Sequence, residues 1–236
     1  MILVSQGTLR HVLRAACKDT TRLRLCGVQF ERRGEITYAV ATDGHRLTVI
    51  AYNELGMADA PLSSVPLPDE DVFVPLWLFD AAKAAFDPEP AALWVSNSLV
   101  QPFDTDAKVR DGRAFLEVLA KTDPKYAPGT SWRQVIPGTF PAGTAAINHK
   151  LCRAALKSST GESVRFGFKG GNVYVGDCPV GTCPPLSLVL HLERRYTEDA
   201  VKTMTGNFTL DVDASLDPVL FSDQCGARVV VMPRRS

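Results

Sequence analysis

Three side chains with acid–base or anion-binding chemistry lie close together in the sequence: Asp43, His45 and Arg46. They could serve as a general base, a general acid and an anion clamp, since histidine exchanges protons near neutral pH. The Asp43-Gly44 pair, which follows the strand-like residues Thr37–Thr42, is also a standard turn dipeptide. The segment is therefore open to two interpretations, a reactive cluster or a turn.

The rest of the sequence gives a catalytic interpretation little support. It holds no nucleophile elbow, Walker loop or dinucleotide fingerprint, and no second acidic cluster accompanies the histidine. We therefore predict a protein without enzymatic activity and without a cofactor. A metal site is not predicted, because the four histidines are not placed to supply a recognisable ligand pair. We expect free and mostly buried cysteines: Cys17, Cys26, Cys152, Cys178, Cys183 and Cys225.

The composition allows one large folded domain or two of ordinary size, with 236 residues of which 45% are apolar. No stretch approaches the roughly 18 apolar residues of a membrane helix, and the N-terminus lacks the pattern of a signal peptide. These features predict a cytoplasmic protein. Lys plus Arg and Asp plus Glu both number 26, so nucleic-acid binding would require segregated charges on the surface.

An internal repeat organises the chain. His11–Lys18 aligns without a gap with Lys150–Lys157, 139 residues later (150 minus 11). Asp80–Lys83 aligns with Asp199–Lys202, 119 residues later (199 minus 80). Strand-like residues follow each helical segment: Val28–Phe30, Ile36–Val40, Ala92–Val95, Val164–Phe168, Val173–Val175 and Asn207–Val212. The pattern predicts an α+β protein of two similar domains, each with two helices packed on antiparallel sheets.

Two proline-rich stretches separate these elements. Asn53–Asp71 is predicted to be a long surface loop that holds much of the extra length of the first copy. Asp123–Gly143 is predicted to be an extended connection between the copies. The predicted domains are residues 1–130 and 131–236.

The predicted helices carry basic faces. In the first, apolar residues between Leu9 and Ala16 follow the spacing of a buried stripe. In the third, Cys152, Ala155 and Leu156 are predicted to face inward. Because like charges four residues apart repel, their repetition on several helices indicates an anionic partner, and we predict sequence-independent contacts with the phosphates of double-stranded DNA. The predicted DNA-facing residues are Arg10, Arg14, Lys18, Lys83, Lys150, Arg153, Lys157, Arg194, Arg195 and Lys202.

Two distant segments carry a family resemblance. Ala41–Leu47 reads Ala-Thr-Asp-Gly-His-Arg-Leu, and Val230–Arg235 reads Val-Val-Met-Pro-Arg-Arg. Both resemble the bacterial DNA polymerase sliding clamp, the β clamp. Leu25–Phe30, Val74-Pro75 and Trp132–Pro137 resemble further motifs of that family in the same order. The resemblance covers nearly the full length and matches the second and third of the family's three domains.

The resemblance implies two tandem clamp domains, with helices that line the hole of a ring and sheets on its outer face. A β clamp closes as a dimer with six domains, so a two-domain chain would need three copies. We therefore expect a homotrimer with head-to-tail contacts. The implied function is that of a polymerase processivity factor that encircles duplex DNA. It would act at the nucleoid, or in the host cytoplasm if the protein is viral.

Partner proteins of this family insert a short motif with a Gln and paired Leu or Phe anchors into a cleft between the second and third domains. The expected partners are a DNA polymerase and a clamp loader. Matching the motifs implies this cleft set: Leu25, Thr42, Gly44, His45, Arg46, Leu47, Val135, Val230, Met232, Pro233 and Arg235. Its apolar members would form an anchor pocket. Arg234 and Ser236 replace apolar residues of the family, which favours partner segments with an acidic residue.

A regulator derived from a clamp is the alternative function. Such a protein would keep the cleft and compete for clamp-binding peptides as a monomer or dimer, without encircling DNA. On the sequence, both functions remain open.

Overall fold

The computed structural model describes residues 1–54, 68–96, 99–103, 107–118, 131–136, 143–213 and 218–233. The chain divides into two compact units. Unit 1 comprises Met1–Gly44 and Val49–Thr130, and unit 2 comprises His45–Thr48 and Ser131–Ser236. Unit 2 thus includes a four-residue segment that the sequence prediction placed in the first domain. Among the described residues, no helix is long and apolar enough to cross a membrane.

Unit 1 contains two sets of a strand, a helix and further strands. Its elements are β1 (Ile2–Ser5), α1 (Gln6–Val12), β2 (Gly27–Arg33), β3 (Ile36–Thr42), β4 (Arg46–Tyr52, whose first residues belong to unit 2), β5 (Glu70–Pro75), α2 (Leu76–Ala85), β6 (Phe86–Asp87), β7 (Ala92–Ser96), β8 (Leu99–Pro102), β9 (Lys108–Val109) and α3 (Gly112–Val118). One sheet has the order β4-β3-β2-β5, a second has the order β1-β7-β8, and β6 pairs with β9.

The core of unit 1 lies between these sheets and the helices. Most of β2 is buried on both faces; Val28 and Phe30 are fully buried, and Gln29 between them is half-buried. Phe30 packs edge-on against Phe79 of α2, with ring centroids 6.4 Å apart. Leu9 and Val12 of α1 join the same apolar cluster.

Unit 2 repeats a strand, a helix and three strands twice. Its elements are β10 (Gly143–Ile147), α4 (His149–Ser158), β11 (Ser163–Lys169), β12 (Asn172–Val175), β13 (Cys178–Thr182), β14 (Leu188–Glu193), α5 (Arg194–Thr203), β15 (Phe208–Val212), β16 (Val219–Asp223) and β17 (Ala227–Val231). The strand order is β14-β11-β12-β13-β10-β15-β16-β17, and the start of β4 lies next to β17.

The helix starts and strands agree with the sequence patterns. Ser5 caps α1 by accepting a hydrogen bond from Thr8 N at 3.1 Å, and Asn148 caps α4 by accepting one from Leu151 N at 3.1 Å. The predicted inward residues of α4, Cys152, Ala155 and Leu156, are all buried. The prediction of an α+β fold with helices on antiparallel sheets is confirmed.

The first helix is shorter than predicted. α1 ends at Val12, a 3-10 turn spans Leu13–Ala15, and Ala16 is extended. The chain then turns because Cys17 N donates a hydrogen bond to Leu25 O at 3.0 Å, a contact that local periodicity does not reveal. Lys18 therefore lies outside the helix, and its predicted place on a helical face is wrong. Unit 1 also contains a third helix, α3, which the sequence patterns did not predict.

A buried ion network fixes the first strand of unit 1. Arg32 and Glu54 are each only 3% exposed, and Glu54 Oε1 lies 2.9 Å from Arg32 Nε. Glu54 also accepts hydrogen bonds from Leu3 N at 2.8 Å and from the Thr37 hydroxyl at 2.5 Å. Burial disfavours the charged guanidinium, but the hydrogen bonds and charge of Glu54 outweigh it and raise the pKa of Arg32 above its usual value.

The predicted connections lie largely outside the described residues. Of Asn53–Asp71, the structure describes Asn53, Glu54 and residues 68–71, with β5 beginning at Glu70. Of Asp123–Gly143, it describes a 3-10 turn at Trp132–Gln134, the residues around it and Gly143.

All six cysteines are free, as predicted. The expectation that most are buried holds only for Cys17, Cys26 and Cys152, since Cys178 and Cys225 are exposed and Cys183 is half-buried. Burial raises the pKa of the Cys152 thiol to about 12, which makes it unreactive near neutral pH.

Candidate functional site

The turn at Thr42–Gly44 has a defined geometry. Gly44 adopts φ +91°, a backbone region that glycine reaches easily because it has no Cβ atom and that other residues disfavour. Its N–H donates a hydrogen bond to Thr42 Oγ1 at 3.1 Å. Within unit 1, the Arg22 guanidinium donates to the Asp43 carbonyl at 3.4 Å. The Asp-Gly dipeptide is therefore explained by turn formation.

The segment after this turn contacts the C-terminal strand region of unit 2. Met232 N donates a hydrogen bond to His45 O at 3.2 Å, and Pro233 forms an isolated bridge with Leu192 of β14. Residues that lie far apart in the sequence thus meet in unit 2.

Tyr196 of α5 organises the side chains at this place. His45 stacks on its ring, with centroids 6.1 Å apart and an angle of 14° between the planes. The Arg46 Cζ atom lies 4.8 Å from the ring centroid, and the Arg195 Cζ atom lies 4.4 Å from it. Tyr196 is buried, and its ring supports the exposed His45 and Arg195 and the largely buried Arg46. Tyr196 was not among the predicted site residues, and its local signal in the sequence was an aromatic residue next to the Arg194-Arg195 pair.

Arg46 has its charge partner on the same helix. Its Nη1 lies 2.5 Å from Asp199 Oδ2, and the arginine side chain is 10% exposed. This ion pair and the contact with Tyr196 hold Arg46 in place against α5. Arg46 thus joins the start of β4 to α5. A catalytic cluster would instead need an arginine that is available to bind an anionic substrate.

The apolar residues of the predicted cleft differ in how much surface they offer. Leu47 and Val230 are each 2% exposed, so they can form only the floor of a binding site. Met232 and Val135 are 42% and 45% exposed, so both present apolar surface to the solvent. In unit 2, the accessible surface of the large apolar residues in the predicted cleft set therefore belongs mainly to Met232 and Val135.

The predicted cleft residues are distributed over both units. Leu25, Thr42 and Gly44 belong to unit 1, and His45, Arg46, Leu47, Val135, Val230, Met232 and Pro233 belong to unit 2. Arg235, like Arg234 and Ser236, lies outside the described residues. In unit 1, Leu25 lines a recess of about 500 Å³ together with Thr21, Arg22, Leu23 and Arg24.

Another recess in unit 2 contains none of the predicted site residues. It has a volume of about 470 Å³ and lies between β10, β13 and the β15–β16 strands, with Ile147, Gly181 and Phe208 in its lining. The polar side chains there have structural contacts; for example, Asn148 caps α4 and Asp223 accepts hydrogen bonds from Cys225 N and Ala227 N. We assign this recess no function.

Helix α4 presents the clearest cationic face. Lys150, Arg153 and Lys157 are exposed, while Cys152 and Leu156 pack into the core. α4 itself contains no acidic residue that could neutralise this face. This arrangement leaves three cations of one helix available to an anionic partner.

The other predicted DNA-facing residues differ in their surroundings. Arg10 and Lys83 are exposed, on α1 and α2, whereas Arg14 is half-buried with its Nη1 3.4 Å from His11 Nδ1. Lys202 is exposed on α5, with its Nζ 3.6 Å from Glu198 and 4.0 Å from Asp199.

Arg194 is held by the end of the preceding helix. Its guanidinium donates to Leu156 O at 2.9 Å, to Gly161 O at 2.5 Å and to Ser159 Oγ at 2.9 Å. These contacts satisfy carbonyl groups at and just beyond the C-terminus of α4. The sequence showed the charge of Arg194 but could not show that neighbouring carbonyls use it.

Known structures identify the fold. The whole chain superimposes on the DNA polymerase III β subunit of Thermotoga maritima with a TM-score of 0.71 at 19% sequence identity. The DNA polymerase III β chain of Streptococcus pneumoniae and the DNA polymerase sliding clamp of Pseudomonas aeruginosa both give a TM-score of 0.71 at 16% identity, again over 100% of this chain. The chain has the sliding-clamp fold.

The clamp fold confirms the structural part of the family resemblance. The chain spans 64–66% of the length of these three proteins. No protein-family model and no curated protein matches the sequence.

Within the described part of the clamp fold, no group of three or more His, Cys, Asp or Glu residues could hold a metal ion.

Proposed function

We propose that this protein is a DNA sliding clamp, a non-enzymatic processivity factor that encircles duplex DNA and recruits proteins through short peptide segments. The observation that carries the proposal is the agreement of the whole chain with the clamp fold. Two further features support it: an exposed cationic face on α4, and the exposed apolar residue Met232, which is bonded to His45 of the His45–Tyr196 stack.

DNA would be held by contacts with phosphates. Lysine and arginine side chains attract the phosphate backbone without reading the base sequence, and such contacts weaken as salt rises. Lys150, Arg153 and Lys157 are the strongest candidates, because all three are exposed on one helix. We assign Arg194 to packing instead, since its guanidinium is already bonded to carbonyl groups.

The ring would consist of three copies. The resemblance to the β clamp implies six domains per ring, and this chain would supply two, so three chains would complete the set. Each chain would contact the next through a heterologous interface, which closes only at a suitable angle between successive domains. A ring of this kind keeps a polymerase on its template through topology, and the individual phosphate contacts can remain weak.

Partner segments would bind in unit 2 beside the His45–Tyr196 stack. Met232 offers an exposed, adaptable apolar surface, with Val135 as a second exposed apolar residue, while buried Leu47 and Val230 support the site from below. His45 and the nearby backbone would orient the bound segment through hydrogen bonds. A DNA polymerase and a clamp loader are the partners we propose for this site.

A regulator that binds peptides without encircling DNA is the second candidate function. The balance of 26 basic and 26 acidic residues favours it, because a neutral chain attracts DNA only where its charges are segregated. Such a regulator would be a monomer or dimer and would retain peptide binding.

Replacing Met232 by alanine should weaken the binding of a partner peptide about thirtyfold or more, since anchor residues that dominate an interface contribute about 2 kcal/mol or more. The measurement is fluorescence anisotropy with a labelled peptide that contains one Gln and a Leu-Phe pair. Leu151→Ala is the matched control, because Leu151 is 53% exposed on α4 and also loses apolar surface. Equal effects of the two substitutions would contradict this binding site.

A further inference from the structure

The position of Arg195 is not explained by the stability of its helix. Arg195 occupies the first turn of α5, where the partial positive charge of the helix N-terminus disfavours cations. No acidic residue lies in that turn. The neighbouring Arg194 is accounted for by its bonds to the end of α4, whereas the Arg195 side chain is 70% exposed.

The guanidinium of Arg195 is oriented by its neighbours. It lies over the Tyr196 ring, its Nη2 donates to the Tyr196 hydroxyl at 2.5 Å, and its Nε lies 2.6 Å from Glu193 Oε1. Burial acts to lower the pKa of Arg195, but the nearby Tyr196 and Glu193 outweigh it and raise that pKa. These contacts use two of the five N–H donors that a guanidinium carries, so three remain to bind a ligand.

The other cations at this place are already committed. Arg46 is 10% exposed and pairs with Asp199, and Arg194 bonds to carbonyl groups. Arg195 is therefore the cation of the Tyr196 cluster with the largest exposed surface. Through the shared contact of Tyr196 with His45, and the bond of His45 to Met232, it lies in the same cluster as the exposed apolar anchor surface.

We propose that Arg195 selects partner segments that carry a carboxylate next to their apolar anchor. This inference rests on the proposed peptide-binding function of unit 2. A carboxylate can accept two parallel N–H bonds from a guanidinium, a geometry that an uncharged amide cannot reproduce. Tyr196 fixes the plane of the guanidinium before the ligand arrives, which reduces the ordering cost of binding.

Glu193 acts in this proposal as an internal competitor. Its carboxylate occupies the Nε side of Arg195 in the absence of a ligand, and its negative charge repels an incoming carboxylate. Its side chain makes no capping hydrogen bond to α5, so an amide can replace the carboxylate without loss of a helix cap. The preference for a segment with a carboxylate should therefore fall when the charge of Arg195 is removed and rise when the charge of Glu193 is removed.

The test uses two fluorescein-labelled hexapeptides, Ala-Gln-Ala-Asp-Leu-Phe and the same peptide with Asn in place of Asp. Anisotropy titrations at low salt give the ratio of the two dissociation constants for each variant of the full chain. The wild-type protein should prefer the Asp peptide about fivefold, the upper range for an ion pair on a largely exposed side chain. Arg195→Gln should reduce this preference to about twofold or less with little change for the Asn peptide, and Glu193→Gln should increase it.

Lys202→Gln is the matched control, because it removes one exposed positive charge from the same helix, and its preference should equal that of the wild type. A wild-type protein that binds both peptides equally would overturn the inference alone. The inference would also be overturned if Arg195→Gln kept the full preference for the Asp peptide, or if Lys202→Gln lost as much of this preference as Arg195→Gln. If neither peptide binds the wild-type protein, the proposed peptide-binding function fails, and this inference fails with it.

Discussion

Replacing Glu54 by alanine should lower the free energy of unfolding by about 3–5 kcal/mol, the usual result when one partner of a buried ion pair is removed. The carboxylate accepts hydrogen bonds from Arg32, Leu3 N and the Thr37 hydroxyl, and its side chain is 3% exposed. Without it, Arg32 remains as a buried charge with less compensation. The strand β1 also loses a contact that holds it to the rest of unit 1.

Urea denaturation followed by circular dichroism measures this loss. Asp71→Ala is the matched control, because Asp71 forms a 2.7 Å ion pair with Arg33 but is 61% exposed. Exposed pairs contribute about 0–1 kcal/mol, so the control should differ little from the wild type. A loss below about 1 kcal/mol for Glu54→Ala would show that the buried network contributes no more to stability than an exposed ion pair does.

Reversing two charges of α4, with Arg153→Glu and Lys157→Glu together, should weaken DNA binding by about a hundredfold or more at low salt. Each lost phosphate contact should also reduce the slope of log affinity against log salt by about 0.9. Both side chains are exposed and point away from the apolar core, so the fold should persist. Binding of the peptide with Gln and Leu-Phe should be unchanged, because it depends on other residues.

The control for this variant carries the same charge change elsewhere in unit 2. Arg165 and Lys169 are exposed on β11, and Arg165→Glu with Lys169→Glu also reverses two positive charges. If net charge alone governs DNA binding, the two double variants will behave alike. That result would contradict a specific role for α4.

The sequence predicted elements whose pattern is local. The stripe of Cys152, Ala155 and Leu156 repeats at helical spacing, and the helix forms as predicted with these residues buried. The end of α1 could not be predicted in the same way. It depends on the hydrogen bond between Cys17 N and Leu25 O, which joins residues outside any periodic pattern.

The candidate site was predictable in its residue types but not in its contacts. The motifs identified His45 and Met232 as neighbours, and the structure brings them together. Tyr196 was missed because a single aromatic residue in a helix is most often a core residue. Arg194 resembled the other basic residues of the helices, although its charge is used by the end of α4. Leu47 is buried and Met232 is accessible, a difference that only the tertiary structure reveals.

The enclosure of DNA is tested most directly by retention on closed circles. The protein is dissociated in mild denaturant, reassembled in the presence of nicked circular plasmid, and passed through a sizing column at a salt concentration that breaks phosphate contacts. A ring that encircles DNA should remain with the circular plasmid and be released after a restriction enzyme cuts it. Equal retention on circular and cut plasmid, or no retention on the circle, would contradict the proposed sliding clamp.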